Sequence, residues 1–243
     1  MMADHAPVDV IKISPNRGNT VNGVRYYNRT HSICRITPHH AAGVLSVENM
    51  LDWFSKESTQ ASCNYVVGND GRRGLCCEEN VRPWTSSSRD NDNKAITVEV
   101  VNAATGGVWP VSYKAFDSLV ALCVDICKRY GKKKLLWIPD KDKALAYEPK
   151  ADEMLLTMHK WFANTNCPGE YLGSRFPELA ERVTNELNKS EEVVKQPWYI
   201  KDGTWAKAKE LGLMDGTRPD ANITRAEAAA VAVRLYNKLK EGK

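Results

Sequence analysis

The segment 157–169, TMHKWFANTNCPG, constrains this chain more than any other. It places His159 and Cys167 eight positions apart and ends in a Pro-Gly turn. Imidazole nitrogen and thiolate sulfur are ligands of zinc, and a catalytic zinc site uses three protein ligands with a fourth position left for water or substrate. His159 and Cys167 are therefore candidates for two ligands of a zinc ion, with a third from elsewhere in the chain. The alternative at this point is that His159 is a surface or core residue, as a lone histidine usually is.

The third ligand is expected at the end of an upstream strand. Residues 33–37 alternate apolar and polar side chains, as a half-buried strand does, and His39 and His40 follow directly. Adjacent strand residues point to opposite faces, so only one of the two histidines can easily face a given site. Spacing alone leaves open which one.

The remaining periodic segments predict an α/β (α+β) fold, in which a mixed central β-sheet is flanked by helices. Strands are predicted at 8–13, 33–37, 64–68, a run ending at Leu75, 95–101 and 134–139. Helices are predicted after Ser46, from Ser112 to Gly131, and over 173–189. Loops are predicted at 16–23, 78–94 and 141–153.

The chain is long enough for one sizeable domain and a small second one. The charged stretch 189–197, KSEEVVKQP, ends in proline and is predicted to be a linker. It separates a domain at 1–188 from a small helical domain at 198–243. In the second domain Thr224 and Glu227 have the spacing of a capping box at the start of a helix.

Charge and hydropathy exclude several classes of protein. The net charge is +4, and no basic stripe is interleaved with aromatic residues, so nucleic acid is not an expected partner. No apolar run has the length of a membrane span, and the start MMADHAPVDVIKIS lacks the pattern of a secretory signal. We therefore expect a protein made in the cytoplasm without a signal peptide.

The seven cysteines are an odd number without the regular spacing of a disulfide framework, so most are predicted to be free thiols. The neighbouring Cys76 and Cys77 have no CxxC partner that would indicate a metal site.

Four blocks in this order, ITPHHAA, CNYVVGNDG, KAITVEVVN and MHKWFANTNCPG, resemble the zinc-dependent N-acetylmuramoyl-L-alanine amidases of the bacteriophage-lysozyme and peptidoglycan-recognition-protein type. The resemblance covers roughly residues 20–188. It implies that His39, His159 and Cys167 hold zinc. His40 is then left to pack against the site or to contact substrate.

The resemblance also implies catalytic roles. Glu99 stands where one branch of these amidases carries a catalytic glutamate, and Tyr65 stands where a tyrosine faces the zinc. Either could be the general base, and the residues leave that choice open. Thr165 replaces a lysine found in some members, and with Tyr65 it could stabilise the oxyanion. A tyrosine before Val-Val is, by itself, more often a core residue.

Trp84 lies in the predicted loop 78–94, and two roles for it are equally consistent with the residues. The indole could wall a substrate groove, or it could pin the loop to the body of the domain.

The implied activity is hydrolysis of the amide between N-acetylmuramic acid and the L-alanine of the peptidoglycan stem. The implied biology is a phage or prophage endolysin that reaches the cell wall after holin-type lysis. Two alternatives are a peptidoglycan-binding protein without catalysis and a structural zinc protein. The presence of all three implied ligands, the trio His39, His159 and Cys167, argues against a binding protein without catalysis. The lack of a fourth ligand argues against a structural zinc protein.

The C-terminal segment resembles one S-layer-homology motif, with an aromatic-led helix, the turn GLMDG and the helix start ITRAE. That family binds wall polymers and commonly carries three motifs. A single motif of this size is too small to be stable alone, which implies packing on the first domain or a homo-oligomer.

Overall fold

Seven strands form the central sheet, and two more form a separate hairpin. The computed structural model describes residues 5–189, 203–214 and 224–241. The strands are β1 (Val10–Ile11), β2 (Asn19–Val21), β3 (Val24–Tyr26), β4 (Arg35–His40), β5 (Tyr65–Val67), β6 (Arg73–Leu75), β7 (Ala95–Val100), β8 (Lys134–Leu136) and β9 (Glu153–Leu156). The sheet order is β1-β6-β5-β7-β4-β9-β8, and β2 pairs with β3. Only β5 and β6 are antiparallel neighbours in the large sheet, so the predicted mixed sheet is confirmed.

The described residues form eight α-helices, and several begin where a side chain caps the first turn. They are α1 (Val47–Phe54), α2 (Arg89–Lys94), α3 (Tyr113–Arg129), α4 (Lys141–Ala146), α5 (Gly169–Ser174), α6 (Phe176–Asn188), α7 (Thr204–Glu210) and α8 (Arg225–Glu241). The Ser46 and Ser112 hydroxyls accept the Asn49 and Ala115 N–H groups at the starts of α1 and α3, as their positions predict. Gly131 follows α3 with a φ of 66°, which suits glycine after a helix end.

The two faces of the sheet carry different cores. On one face, Tyr65, Val98 and Ile96 pack in a large apolar cluster with side chains of α3 and α6, such as Phe116 and Phe176. On the other face, a smaller cluster gathers α1 side chains with Val66 and three buried thiols, those of Cys63, Cys76 and Cys77. Alternation along each strand produces this division, because successive residues point to opposite faces. All seven cysteines are free thiols, which agrees with the prediction.

Two of the predicted loops contain helices. In 78–94, helix α2 begins at Ser88, whose side chain accepts the Asn91 N–H, and the helix buries three polar side chains, Asn91, Asp92 and Asn93. In 141–153, helix α4 begins at Asp140, whose carboxylate accepts the Lys143 N–H. Each is six residues long and lacks an apolar stripe, so hydrophobic periodicity could not reveal it.

The strand predictions also need correction. Strand β4, predicted over 33–37 with His39 and His40 beyond its end, runs from Arg35 to His40 and includes both histidines. Strand β9, Glu153–Leu156, was not predicted, because all four of its residues are buried and show no alternation. The predicted loop 16–23 contains β2, and β8 ends at Leu136 rather than at residue 139. The helix predicted over 173–189 is present as α6, and the short helix α5, which was not predicted, precedes it and ends at Ser174.

The chain divides into two compact units, Met1–Asn188 and Lys189–Lys243. In the second unit, the capping box predicted at α8 is present, since the Thr224 N–H donates to Glu227 and the Glu227 N–H donates to the Thr224 hydroxyl. Most of the predicted linker 189–197 lies outside the described residues. Among the helices described, none has the length and hydropathy needed to cross a membrane.

A buried ion pair joins two distant parts of the first unit. Glu79, which is 2 % exposed, accepts two hydrogen bonds of 2.6 Å from the guanidinium of Arg129 in α3. The Tyr65 hydroxyl donates to the same carboxylate and accepts the Ala6 N–H at 2.9 Å. Arg29 donates to the Glu79 carbonyl at 2.6 Å. These bonds tie β5, α3 and the N-terminal segment together.

We predict that Glu79→Gln destabilises the fold by about 3–5 kcal/mol, because it leaves the largely buried Arg129 charge with the more exposed Asp125 as its remaining carboxylate partner. The control is Asp117→Asn, which breaks the solvent-exposed Arg182–Asp117 pair and should cost less than about 1 kcal/mol. Urea unfolding of both variants measures the difference. Equal losses of unfolding free energy in the two variants would contradict the prediction that breaking the buried pair costs more than breaking the exposed one.

Candidate active site

Three neighbouring parallel strands deliver the predicted site residues to one end of the sheet. Strands β4 and β7 run side by side in register, with His39 directly opposite Glu99. Paired residues of adjacent strands share a face, so the imidazole and the carboxyl project to the same side. Strand β9 lies on the other side of β4, and His159 begins a short 3-10 turn just beyond its end.

His39, His159 and Cys167 converge at this end. Their potential ligand atoms all lie within 4.8 Å of one another. The Cys167 sulfur is 3.3 Å from Nδ1 of His39, and the two imidazole rings are 4.8 Å apart between centroids. His39 is 1 % exposed and Cys167 is 6 % exposed, whereas His159 is only partly buried, so the group is closed at two members and partly open at the third.

The loop that carries Cys167 is held against the turn that carries His159. The Lys160 N–H donates to the Cys167 carbonyl at 3.1 Å, and the Cys167 N–H donates to the Thr165 hydroxyl at 3.2 Å. Gly169 follows with a φ of 81°, and a Cβ there would lie 3.1 Å from Cβ of Trp109. Only glycine suits this conformation and space, which explains the Pro-Gly turn after the cysteine.

Burial sets the protonation of the group. It lowers the pKa of His39 well below its usual value, and the charges of His159 and His40 would lower it further. Burial, followed by His40, also lowers the pKa of His159. Both imidazoles are therefore neutral near pH 7, the form that binds a metal. Burial and the nearby Glu99 raise the pKa of the Cys167 thiol, so its thiolate needs a cation beside it.

Glu99 lies next to the group. Its Oε1 is 3.9 Å from Nδ1 of His39, and among the described residues its Oε2 has no hydrogen-bond partner. Burial raises the pKa of this carboxyl to about 8. A buried carboxyl without hydrogen bonds is costly, and a cation at the neighbouring group would lower its pKa and favour the carboxylate.

The residues present fit a zinc ion. Nε2 of His39 and Nε2 of His159 are both buried, and neither has a hydrogen-bond partner in the described parts of the chain. Two imidazoles and one thiol form a donor set that suits zinc and leaves one position of a tetrahedron for water or substrate. Carboxylate oxygen, which magnesium and calcium prefer, is absent from this trio.

The expectation that Tyr65 faces the metal is corrected. Tyr65 pairs with Val98, whereas Glu99 pairs with Val66, so the Tyr65 side chain projects from the opposite face of the sheet to Glu99 and His39. Its hydroxyl is bonded to Glu79 and Ala6, and the side chain is fully buried. Tyr65 therefore belongs to the core, the alternative that its position before two valines had favoured.

The other predicted residues have these positions. Thr165 lies two residues before Cys167, and its hydroxyl accepts the Cys167 N–H. His40 is not a member of the ligand trio, and its ring packs 5.0 Å from that of Trp109. The Trp84 indole donates to the Gly18 carbonyl at 2.8 Å, which supports the alternative that it pins its loop to the body.

Sequence reasoning missed two features beside the trio. Trp109 packs on His40 and has a φ of 57°, which is unusual for a bulky side chain. Thr37 and Thr157, each two residues before a predicted histidine ligand, form a hydroxyl–hydroxyl bond of 2.7 Å. The repeated Thr-x-His spacing was the one signal in the sequence that could have indicated the second feature.

Comparison with known proteins identifies the family. The family model described as N-acetylmuramoyl-L-alanine amidase matches residues 29–170. No curated protein sequence matched the chain.

Several solved structures are similar to the chain. The structure titled PlyL is 15 % identical, covers 73 % of this chain and 97 % of its own, and has a TM-score of 0.49. The endolysin of the Thermus scotoductus bacteriophage Ph2119 is 21 % identical, with 65 % and 89 % covered and a TM-score of 0.45. The N-acetylmuramoyl-L-alanine amidase LysCS of Clostridium intestinale is 16 % identical, with 77 % and 100 % covered and a TM-score of 0.42.

The family match extends over more than half of the chain and includes the three strands that build the site, together with the segment that carries His159 and Cys167. The chain therefore belongs to the N-acetylmuramoyl-L-alanine amidase family.

Proposed function

We propose that the protein is a zinc-dependent peptidoglycan amidase that cuts the amide between N-acetylmuramic acid and the L-alanine of the stem peptide. The observation that carries this proposal is the convergence of His39, His159 and Cys167 beside the partly buried Glu99. Family membership supports peptidoglycan as the substrate and amide hydrolysis as the reaction. The donor set supports zinc as the metal.

In this proposal His39, His159 and Cys167 hold the ion. Zinc, when bound, supplies Lewis-acid chemistry that polarises the amide carbonyl and lowers the pKa of water. Two neutral imidazoles and one thiolate would offset only one of the two positive charges of a zinc ion. The net positive charge that results would favour the ionised form of Glu99. Glu99 is then able to take a proton.

Glu99 is the general base of the proposed mechanism. Its Oε2 has no hydrogen-bond partner in the described structure, so this oxygen is available to accept a proton from the attacking water. As the C–N bond breaks, the same carboxyl returns the proton to the nitrogen of L-alanine, which leaves as a neutral amine. The other product is the lactyl carboxylic acid of the muramic acid, which keeps the second proton of the water and then loses it to solvent.

Thr165 is proposed to help stabilise the oxyanion. Its hydroxyl oxygen accepts the Cys167 N–H, and this bond holds the hydroxyl close to the ligand trio. The hydroxyl proton of Thr165 is not used in that bond, so it is free to be donated to the oxyanion. Tyr65 cannot share this role, because its hydroxyl is engaged with Glu79 on the other face of the sheet. His40, packed on Trp109, is proposed as a residue at the margin of the site, and Trp84 is proposed to hold its loop through the bond to Gly18.

We predict that the purified protein binds one zinc per chain and that chelation abolishes the release of stem peptide from cell walls. His159→Ala and Cys167→Ser should lose both zinc and hydrolysis, because each removes a ligand. His40→Ala is the matched control and should keep its zinc. Metal analysis by atomic emission decides the point, and a zinc-replete Cys167→Ser variant would contradict the ligand set.

We predict that Glu99→Gln keeps zinc but slows hydrolysis by about 10²–10⁴-fold, the usual effect of losing a general base.

Tyr65→Phe should instead cost about 1–3 kcal/mol of folding stability, because it leaves the Glu79 carboxylate and the Ala6 N–H short of a partner. Its turnover per folded molecule should stay normal. Turnover on soluble muramyl peptide and urea unfolding measure the two effects, and a slow but fully stable Tyr65→Phe enzyme would restore Tyr65 to the mechanism.

The segment 198–243 is proposed to bind the wall and to assemble chains. Support comes from its likeness to one S-layer-homology motif and from the capping box at α8, although the family match ends at residue 170. Several apolar side chains of α8 are exposed, namely Val233, Leu235, Tyr236 and Leu239. Action on the wall as an endolysin, after release from the cytoplasm, is part of the same proposal.

We predict that a chain ending at Lys189 keeps its zinc and cleaves soluble muramyl peptide, because the ligand trio and Glu99 lie within the first compact unit. The shortened chain should be monomeric and should bind whole walls weakly. Sedimentation and wall pull-down compare it with the full chain. Equal mass in both would remove the assembly claim, and equal wall retention would remove the targeting claim.

A further inference from the structure

The two histidine-bearing segments lose their backbone connection just before the histidines. Strands β4 and β9 pair in parallel, and the Thr157 N–H donates to the Ile36 carbonyl at 3.1 Å. In a parallel ladder the next bond would run from the N–H of residue 38 to the Thr157 carbonyl. Residue 38 is proline and has no N–H, so that bond cannot form. Beyond this point another interaction has to hold β4 beside the segment that leads to His159.

A side-chain bond stands at this position. The hydroxyls of Thr37 and Thr157 are 2.7 Å apart, and each threonine lies two residues before a proposed zinc ligand. Side chains two residues apart along a strand share a face, so the Thr37 hydroxyl lies on the face of β4 that carries His39. Both threonines are fully buried. The two threonines therefore link the two segments just before Pro38 interrupts the backbone hydrogen bonds between them.

Asn91 of α2 closes this bond into a ring. Its Nδ2 donates to the Thr37 hydroxyl at 3.0 Å, and its Oδ1 accepts the Thr157 hydroxyl at 3.3 Å. Since the single Thr157 proton is used on Asn91, the Thr37 hydroxyl is the donor in the bond between the threonines. Every member has a defined donor and acceptor, and Asn91 is fully buried. Such a closed network is rigid, because any shift of one segment breaks two bonds.

We infer that Thr37, Thr157 and Asn91 are positioning residues that fix the separation of His39 and His159 and so set the affinity of the site for zinc. This inference rests on the proposed zinc site. The three residues do not touch the ion or the substrate. They act by holding two ligand-bearing segments at one spacing where the backbone cannot, and the interruption at Pro38 makes the side-chain bridge necessary.

The test uses Thr37→Val and Thr157→Val, which keep the β-branched shape and remove the hydroxyl. Zinc affinity, measured by competition with a chromophoric chelator, should fall by about tenfold, at the low end of the effect of outer partners on metal sites. The absorption spectrum of the cobalt-substituted protein should also change, because the ligand geometry relaxes. Thr157→Ser, which retains the hydroxyl, should bind zinc as the unaltered protein does.

Thr97→Val is the matched control. Thr97 is the residue of β7 that pairs with Thr37, and it is fully buried. Its hydroxyl is 2.9 Å from that of Thr85, but its strand carries no proposed zinc ligand. It should lose similar thermal stability and leave zinc affinity unchanged. Each valine variant breaks the Thr37–Thr157 bond from one side, so either of them decides the question if the other fails to fold.

The outcomes separate the two proposals. Unaltered zinc affinity in the Thr37 and Thr157 variants, or an equal loss in Thr97→Val, would overturn the positioning role while the zinc site stands. A full-length protein that binds no zinc would overturn the proposed function, and the positioning role with it.

Discussion

The side-by-side pairing of β4 with β7 and β9 is the constraint on which the rest of the structure depends. It places His39 opposite Glu99 and brings the segment leading to His159 alongside. Parallel strands end at the same edge of a sheet, so residues far apart in sequence meet there without any specific attraction between them. The loop from His159 to Cys167 is then short enough to return the thiol to the same place.

The site is electrostatically unfavourable without a cation. Two imidazoles and a carboxyl have buried atoms that lack hydrogen bonds in the described structure, and burial raises the pKa values of both Cys167 and Glu99. Stability must come from elsewhere in the unit. The large apolar core on the opposite face supplies it, and the bidentate Glu79–Arg129 pair links distant segments of the unit. The sheet thus separates a face that stabilises the fold from an edge where the proposed chemistry is carried out.

The face of the sheet that carries the site could be predicted only in part from the sequence, because polar side chains are buried there. The α2 segment looked like a loop because its buried residues are asparagines and an aspartate, which pack through hydrogen bonds rather than through apolar contact. Asp92 illustrates this, since its carboxylate accepts the backbone N–H groups of Thr85 and Ser86. Hydrophobic periodicity does not register such a helix. The same limitation hid β9, whose four residues are all buried.

The sequence by itself determined the order of the ligand-bearing blocks, the presence of a strand leading to His39, the helix caps at Ser46 and Ser112, and the family resemblance, because these depend on local pattern. It left Glu99 and Tyr65 as equal candidates for the base. Only the tertiary structure separated them, because strand register decides which face each side chain takes, and a shift of one residue reverses the answer. The Thr37–Thr157–Asn91 ring was likewise decided by the tertiary structure, since its members are brought together by sheet order rather than by sequence proximity.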